Sequence, residues 1–173
     1  SPEQIVVLRV RGYNDGGYSG YTNELTVKTK PVPVAYTDLT TFVPELTWSG
    51  ATDLNWDKTT SNWNNGSGNT TYTENTNALF TTGTSAQTIN VAEAVSIGTT
   101  VVNSATDYAF SGTGYLTGTG SVKKAGEGKL TLSTENNYTG ATVLHNGTLE
   151  ISKLANGGAS SSIGASQNYD FNF

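Results

Sequence analysis

The chain has 173 residues, enough for one domain or two small ones. Charged residues make up 13% of it, against about a quarter in an average soluble protein, and the net charge is −5. Its nine Lys and Arg residues are scattered, so it lacks the basic surface that phosphates require and we expect no nucleic-acid partner. The absence of cysteine excludes disulfides, thiolate nucleophiles and Cys-based zinc sites.

Further expectations follow from the same composition. The two closest basic pairs, Arg9/Arg11 and Lys123/Lys124, are predicted on solvated strand faces. Abundant Thr, Ser, Asn and Gly give a neutral, hydroxyl-rich surface that is typical of secreted β proteins and of carbohydrate-facing proteins. No apolar run reaches membrane-spanning length, so we expect no membrane span. A chain without methionine is expected to be a piece of a larger protein.

Two alternating stretches open the chain. Residues 5–11 and 24–29 are predicted to be strands, and residues 14–17 between them are predicted to turn, which gives a hairpin. An isolated hairpin is marginally stable in water, so this one must pack on another segment, on a partner or on its own missing half. Pro31 and Pro33 then favour extended backbone and predict a linker over residues 31–45. An edge strand with prolines at its start is the alternative.

Aromatic residues dominate the next segment. Trp48, Trp56 and Trp63 fall within sixteen residues. One interpretation is a cap that covers the first layer of the fold, since each buried aromatic removes about 150–250 Å² from water. The other is a carbohydrate-binding platform, for which the candidate residues are Trp48, Trp56, Trp63 and Tyr72 as stacking rings and Asn55 and Asn62 as partners of sugar hydroxyls.

Metal and catalytic chemistry have few candidates. Asp53, Asn55 and Asp57 place oxygen ligands at alternate positions, as calcium loops do. Lys58 stands where such a loop needs glycine, so we expect these side chains to bond their own backbone and no metal or cofactor to bind. His145 is the single histidine and is predicted in a solvated turn. No carboxylate pair lies in a catalytic motif, and we expect no catalytic residue.

Short strands recur between glycines in the second half of the chain. With no helical period, such strands are predicted to stack as coils, one above another. The predicted strands cover residues 78–80, 87–91, 94–98, 100–103 and 108–112.

A longer motif follows, running Lys-x-Gly-x-Gly-x-Leu-x-Leu, then Asn-x-Tyr-x-Gly-x-Thr, then Gly-Thr-Leu. The residues that fill it are Lys124, Gly126, Gly128, Leu130, Leu132, Asn136, Tyr138, Gly140, Thr142, Gly147, Thr148 and Leu149. The pattern resembles the autotransporter-associated β-strand repeat, also called the passenger-associated transport repeat. That family implies a right-handed parallel β-helix in large secreted or surface bacterial proteins, and it implies no catalytic residue.

Further resemblances extend this interpretation. The Trp-rich segment is similar to the amino-terminal part of the same modules, so the resemblance covers residues 46–164. The tail 160–166 matches the Ser-Ser-Ile-Gly element that follows such repeats, and residues 170–173 resemble the start of another strand. The opening hairpin resembles the last two strands of a fibronectin type III domain, through Arg9, Val10, Arg11, Tyr13, Asn14, Gly17, Ser19, Asn23 and Val27.

Together these observations predict an all-β chain. Residues 1–30 are a fibronectin type III-like hairpin, 31–45 a linker, and 46–173 a short right-handed parallel β-solenoid that continues beyond the chain. The expected function is a non-catalytic spacer or adhesion module of a larger secreted or cell-surface bacterial protein associated with polysaccharide degradation. A carbohydrate-binding module is the alternative. Expected partners are polysaccharide, the missing part of the fibronectin-like domain and flanking domains.

Overall fold

The computed structural model of this chain describes residues 37–83 and 85–167, together with four short strands before them. The chain divides into two units, residues 1–41 with 172–173 and residues 42–171. Apart from the single-turn helix α1 (Thr37–Thr40), the described elements are strands. Within these ranges no helix has the length and apolar content that crossing a membrane requires.

The first unit contains two antiparallel strand pairs. Strand β1 (Ile5–Leu8) pairs with β4 (Leu25–Lys28), and β2 (Tyr13–Asn14) pairs with β3 (Gly17–Tyr18). This pairing agrees with the predicted hairpin, although the strands are shorter than expected. Its resemblance to fibronectin type III stays a prediction. The arginines and prolines of the opening segment lie outside the described residues, and α1 lies within the range predicted as a linker.

The second unit winds as a parallel β-solenoid of about three turns, which confirms the predicted fold class. Its first side consists of β5 (Leu46–Trp48), β9 (Ala78–Thr81), β12 (Thr100–Asn103), β15 (Val122–Ala125) and β17 (Thr142–Leu144). The second side consists of β6 (Asn55–Trp56), β10 (Gln87–Val91), β13 (Tyr108–Ser111), β16 (Lys129–Leu132) and β18 (Thr148–Ile151).

The third side begins with the parallel pair β11 (Ala94–Ser96) and β14 (Tyr115–Thr117). Backbone hydrogen bonds extend it to residues 136–139 and then to residues 161–165. At the opposite end of the stack, β7 (Trp63–Asn64) runs antiparallel to β5, and β8 (Asn69–Thr70) runs antiparallel to β7. The parallel stack therefore ends there in an antiparallel edge.

Strand register sets the length of a coil. On the first side Ala78 lies opposite Thr100, and Thr100 lies opposite Val122, so each of these two coils takes 22 residues. Val122 lies opposite Thr142, so the next coil takes 20. We call residues 78–99 coil 1, residues 100–121 coil 2, residues 122–141 coil 3 and residues 142–165 the terminal coil. Residues 46–77 form the cap region that precedes coil 1.

The core runs as columns of apolar side chains along the stack. On the second side Ile89, Phe110 and Leu132 lie in register and are fully buried. Close backbone approach shapes the corner between the third and first sides, where Gly120 follows Gly98 one coil later. A Cβ on Gly120 would lie 2.1 Å from the carbonyl oxygen of Gly98, so this corner requires glycine.

Candidate functional site

The aromatic cap consists of Trp48, Trp56, Trp63 and Tyr72, which pack above Phe80 of coil 1. Trp56 and Trp63 are 0% exposed, and Trp48 and Tyr72 are also buried. The ring centroids of Trp48 and Trp63 lie 5.1 Å apart, and those of Trp56 and Trp63 lie 5.3 Å apart, both edge to face. These distances are in the range of favourable aromatic pairs.

Burial decides between the two interpretations of these rings. A stacking platform needs ring faces that a sugar can reach, and the four rings of the aromatic cap offer none. The premise of exposed rings is therefore corrected, and the packing supports the cap interpretation. The physical reason is that the rings pack on one another and on Phe80 of coil 1, which removes their faces from solvent.

Asn62 is likewise buried within the cap region. Its side chain is fully buried, and Oδ1 accepts the backbone N–H groups of Thr52 at 2.9 Å and Asp53 at 3.0 Å. Its Nδ2 donates to Asp53 Oδ1 at 2.6 Å and to the carbonyl of Asn55 at 2.8 Å. All polar atoms of this amide are used to hold the loop, so Asn62 is not available to a sugar hydroxyl.

Asn55 lies at the surface of the second side. Its Nδ2 donates to Asp53 Oδ2 at 2.8 Å, and its Oδ1 accepts from Asn90 Nδ2 at 2.7 Å. The second contact joins the cap region to coil 1, where Asn55 and Asn90 are opposite each other in the parallel pair.

The calcium candidates form turns that bond to nearby groups, as expected. Asp53 accepts the N–H of Asn55 at 2.8 Å, and this bond, aided by Asn62, holds the pKa of Asp53 below its usual value. Burial raises the pKa of Asp57, but hydrogen bonds from Thr60 and Thr59 outweigh it and the net pKa is lowered. Across the described residues, no group of three or more His, Cys, Asp or Glu could hold a metal ion.

The burial of Lys124 contradicts one prediction made from the sequence. Lys124 was expected on a solvated face beside Lys123, but its side chain is 1% exposed. Its Nζ donates to the carbonyls of Gly126 at 2.8 Å and Asn146 at 3.3 Å, and also to that of Ala125. Burial lowers the pKa of Lys124, while Asp107 acts in the opposite direction. Lys123 points to the opposite face of β15 and is partly exposed.

Asn136 joins three successive coils. It is fully buried, and its Oδ1 accepts the N–H of Leu116 in coil 2 at 2.9 Å. Within coil 3 the same oxygen accepts from Thr134 Oγ1 at 2.8 Å. Its Nδ2 donates to the carbonyl of Ser162 in the terminal coil at 2.8 Å. One amide therefore connects the third side over consecutive layers.

Tyr138 fills the interior near the same side. Its ring is fully buried, its hydroxyl lies 2.6 Å from Thr142 Oγ1, and burial raises the pKa of Tyr138. Thr142 Oγ1 in turn donates to the carbonyl of Ile163 at 2.9 Å. The N–H of Ala165 donates to the carbonyl of Tyr138 at 2.8 Å, so the Ser-Ser-Ile-Gly tail closes the terminal coil over this residue.

Gly126, Gly128 and Gly147 of the motif form the corner between the first and second sides. Gly126 and Gly147 have φ angles of +72° and +80°, which side chains rarely adopt. A Cβ on Gly147 would lie 2.4 Å from the carbonyl oxygen of Gly126 and 2.8 Å from Lys124 Nζ. His145 lies at the same corner, is half-buried, and donates its N–H to the carbonyl of Lys124 at 2.8 Å.

The inward direction of Lys124 was missed although the sequence contains a signal for it. Val122 and Lys124 are two residues apart in one strand, so they share a face, and the apolar residue marks that face as inward. The four-carbon stem of lysine then lies along the interior while the ammonium reaches the corner.

The terminal coil exposes part of its interior. Leu144 is 50% exposed and Leu154 is 64% exposed. Leu149 and Ile151 are partly buried, whereas Leu130 and Leu132, one coil earlier, are fully buried. Strands β17 and β18 are the last strands of their sheets, so this end of the described solenoid is open.

A shallow depression of about 220 Å³ lies on the second side. Ala109 lies between Thr88 and Thr131 in the register, and its small side chain produces the dip. Gln87 also lines the depression and accepts the indole N–H of Trp48 at 2.9 Å, which couples this surface to the aromatic cap.

Comparison with known proteins agrees with the motif. Residues 122–151 match the family model of the passenger-associated-transport-repeat. The chain carries this repeat. The match covers coil 3 and strands β17 and β18, which are the layers that Lys124, Asn136 and Gly147 hold together. The repeat is of the autotransporter passenger type, is consistent with a structural module and implies a secreted or cell-surface protein. No curated protein and no solved structure matches the chain.

Proposed function

We propose that this chain is a non-catalytic spacer or adhesion module of a larger secreted or cell-surface bacterial protein that acts on polysaccharide. The observation that carries the proposal is the direction of the polar groups in the repeat. Lys124, Asn136 and Tyr138 place their polar atoms on neighbouring coils. Side chains used in this way stabilise a stack and cannot contact a substrate.

Rigidity is the property that a spacer needs, and two features of the described residues support it. Parallel backbone ladders join each coil to the next on the first and second sides, and on the third side a parallel ladder joins coil 1 to coil 2. The aromatic cap is packed against coil 1 through Phe80, whose ring centroid lies 4.9 Å from that of Phe110 in coil 2. Close-packed interiors transmit strain and deform little.

Paired spin labels test this rigidity directly. The chain has no cysteine, so cysteines introduced at the exposed positions Ser67 in the cap region and Leu154 in the terminal coil would be labelled specifically. We expect a single narrow distance distribution, no broader than that of a control pair at Ala51 and Ser67 within the cap region. A broad or multimodal distribution for the 67–154 pair would rule out a rigid spacer.

A polysaccharide partner is the second candidate, and the depression at Ala109 is the observation that favours it. Hydroxyl, amide and charged groups line this surface, including Thr88, Thr131 and Lys129. Because Gln87 contacts the Trp48 indole, binding there should change tryptophan fluorescence. We expect a saturable change with one member of a panel of plant and host polysaccharides. Filling the dip by Ala109→Leu should abolish it, and Tyr115→Leu on the third side should not. No saturable change with any glycan of the panel would count against this candidate.

A further inference from the structure

A cation occupies an otherwise uncharged column of the solenoid. On the first side Phe80, Val102, Lys124 and Leu144 follow one another in register, one residue per layer. Among the residues that the structure describes, Lys124 is the one charged side chain that is buried. Such a charge is costly unless polar groups surround it.

The polar groups around Lys124 are backbone carbonyls from two layers. Ala125 and Gly126 belong to the corner of coil 3, and Asn146 belongs to the corner of the terminal coil. Asp107 influences the ammonium from a distance, and its carboxylate accepts the N–H of Lys129 at 2.8 Å. The hydrogen bonds of the ammonium therefore go to neutral carbonyl oxygens, which is the ligand set of a monovalent-cation site.

We propose that this corner is an ammonium-binding site, filled by the side chain of Lys124, that fastens the terminal coil to coil 3. The ammonium crosses from one layer to the next, because its ligands come from residues 125–126 and from residue 146. The site also explains why Gly147 must be glycine, since a Cβ there would lie 2.8 Å from Nζ.

The corresponding corner of coil 2 gives an internal comparison. Its column position is Val102, and the corner is closed by Ser104, whose Oγ donates to the carbonyl of Thr106 at 2.7 Å and accepts the N–H of Thr106 at 3.0 Å. These bonds stay within one coil. A neutral hydroxyl is thus sufficient to shape a corner. Lys124 differs in that one buried ammonium bonds the carbonyls of two coils at once.

The first test compares Lys124→Met with Lys123→Met in the full chain by residue-resolved hydrogen exchange. Methionine keeps the length of the stem and removes the charge. We expect exchange at the N–H groups of His145 and Thr148 to become at least tenfold faster in Lys124→Met and to stay unchanged in Lys123→Met. If Lys124→Met protects these two amides as well as the unmodified chain does, the ammonium fastens nothing and the proposal is overturned.

A rescue experiment separates the charge from the volume of the side chain. Lys124→Ala leaves a channel that propylammonium fills with the original charge and 1-propanol fills without it. We expect propylammonium chloride, compared with sodium chloride at the same concentration, to slow the exchange of His145 and Thr148 at least threefold. We expect 1-propanol to leave it unchanged. Equal rescue by both compounds, or by neither, would show that the carbonyls do not form an ammonium site.

Discussion

The two ends of the described solenoid differ in how they are closed. At one end the aromatic cap places four fully packed rings over coil 1, and the antiparallel strands β7 and β8 cover the edge of the first side. At the other end β17 and β18 are edge strands, and Leu144 is 50% exposed. Each layer of a solenoid contacts only the layers directly above and below it, so the stability of the stack depends on what covers its two ends. We therefore expect this stack to be most stable at the cap and to open first at the terminal coil.

The largest expected effect is at the cap. Trp63→Ala removes a fully buried ring that contacts Trp48 and Trp56, and it should lower the free energy of unfolding by about 3–5 kcal/mol. Leu144→Ala at the open end is the matched variant and should cost about 1 kcal/mol, because half of that side chain is already in water. Urea denaturation measures both. Equal losses would contradict the difference between the ends.

The next effect concerns the connection between the two regions. Asn136→Ala leaves the N–H of Leu116 and the carbonyl of Ser162 without their partners and should cost more than about 2 kcal/mol. Asn137→Ala is the control, since the side-chain oxygen of Asn137 has no partner in the described structure. The same urea series measures both variants. A loss for Asn136→Ala no greater than that for Asn137→Ala would show that this amide does not join the coils.

A smaller effect is expected at the glycine corner in the middle of the stack. Gly120→Ala places a Cβ 2.1 Å from the carbonyl of Gly98 and should cost about 1–3 kcal/mol as the coils are forced apart. Gly83→Ala meets nothing closer than 3.4 Å, at the end of the flexible Gln87 side chain, and should be nearly neutral. Thermal unfolding compares the pair. A neutral Gly120→Ala would mean that the coils can separate at this corner without cost.

The smallest effect is a pH dependence of the stability, caused by one buried tyrosine near each end of the stack. Burial raises the pKa of Tyr72 at the cap and of Tyr138 near the terminal coil above the usual tyrosine value of 10.0. Above pH 10 these tyrosines ionise in the unfolded chain and stay protonated in the folded one. Their stabilising contribution is therefore complete below pH 10 and is lost as the pH rises beyond it.

Denaturation at a series of pH values checks this effect. The loss of stability between pH 10 and pH 11 should be smaller in Tyr72→Phe and in Tyr138→Phe than in the unmodified chain. Tyr115→Phe, whose ring is exposed on the third side, is the control and should keep the full loss. An unchanged slope in both buried variants would contradict the assigned burial.

Much of the fold could be predicted from the sequence, because strand and glycine spacing is local information. The strands at 87–91 and 100–103 agree with β10 and β12, and the motif at 122–151 matches the family model. The surroundings of individual side chains could not be predicted in the same way. Whether Trp56 faces a sugar or a neighbouring ring, and whether Asn62 bonds solvent or the loop around Asp53, depends on contacts between distant layers.

Residue-resolved hydrogen exchange of the full chain shows whether the coils stack on a closed cap and open at the other end. We expect the slowest exchange where coil 1 meets the cap, at the N–H of Asn90, which donates to the carbonyl of Leu54. We expect the fastest exchange among ladder amides in the terminal coil, at the N–H groups of His145, Ser152 and Ala165. Uniform protection along the stack, or faster exchange at the cap than in the terminal coil, would contradict this expectation.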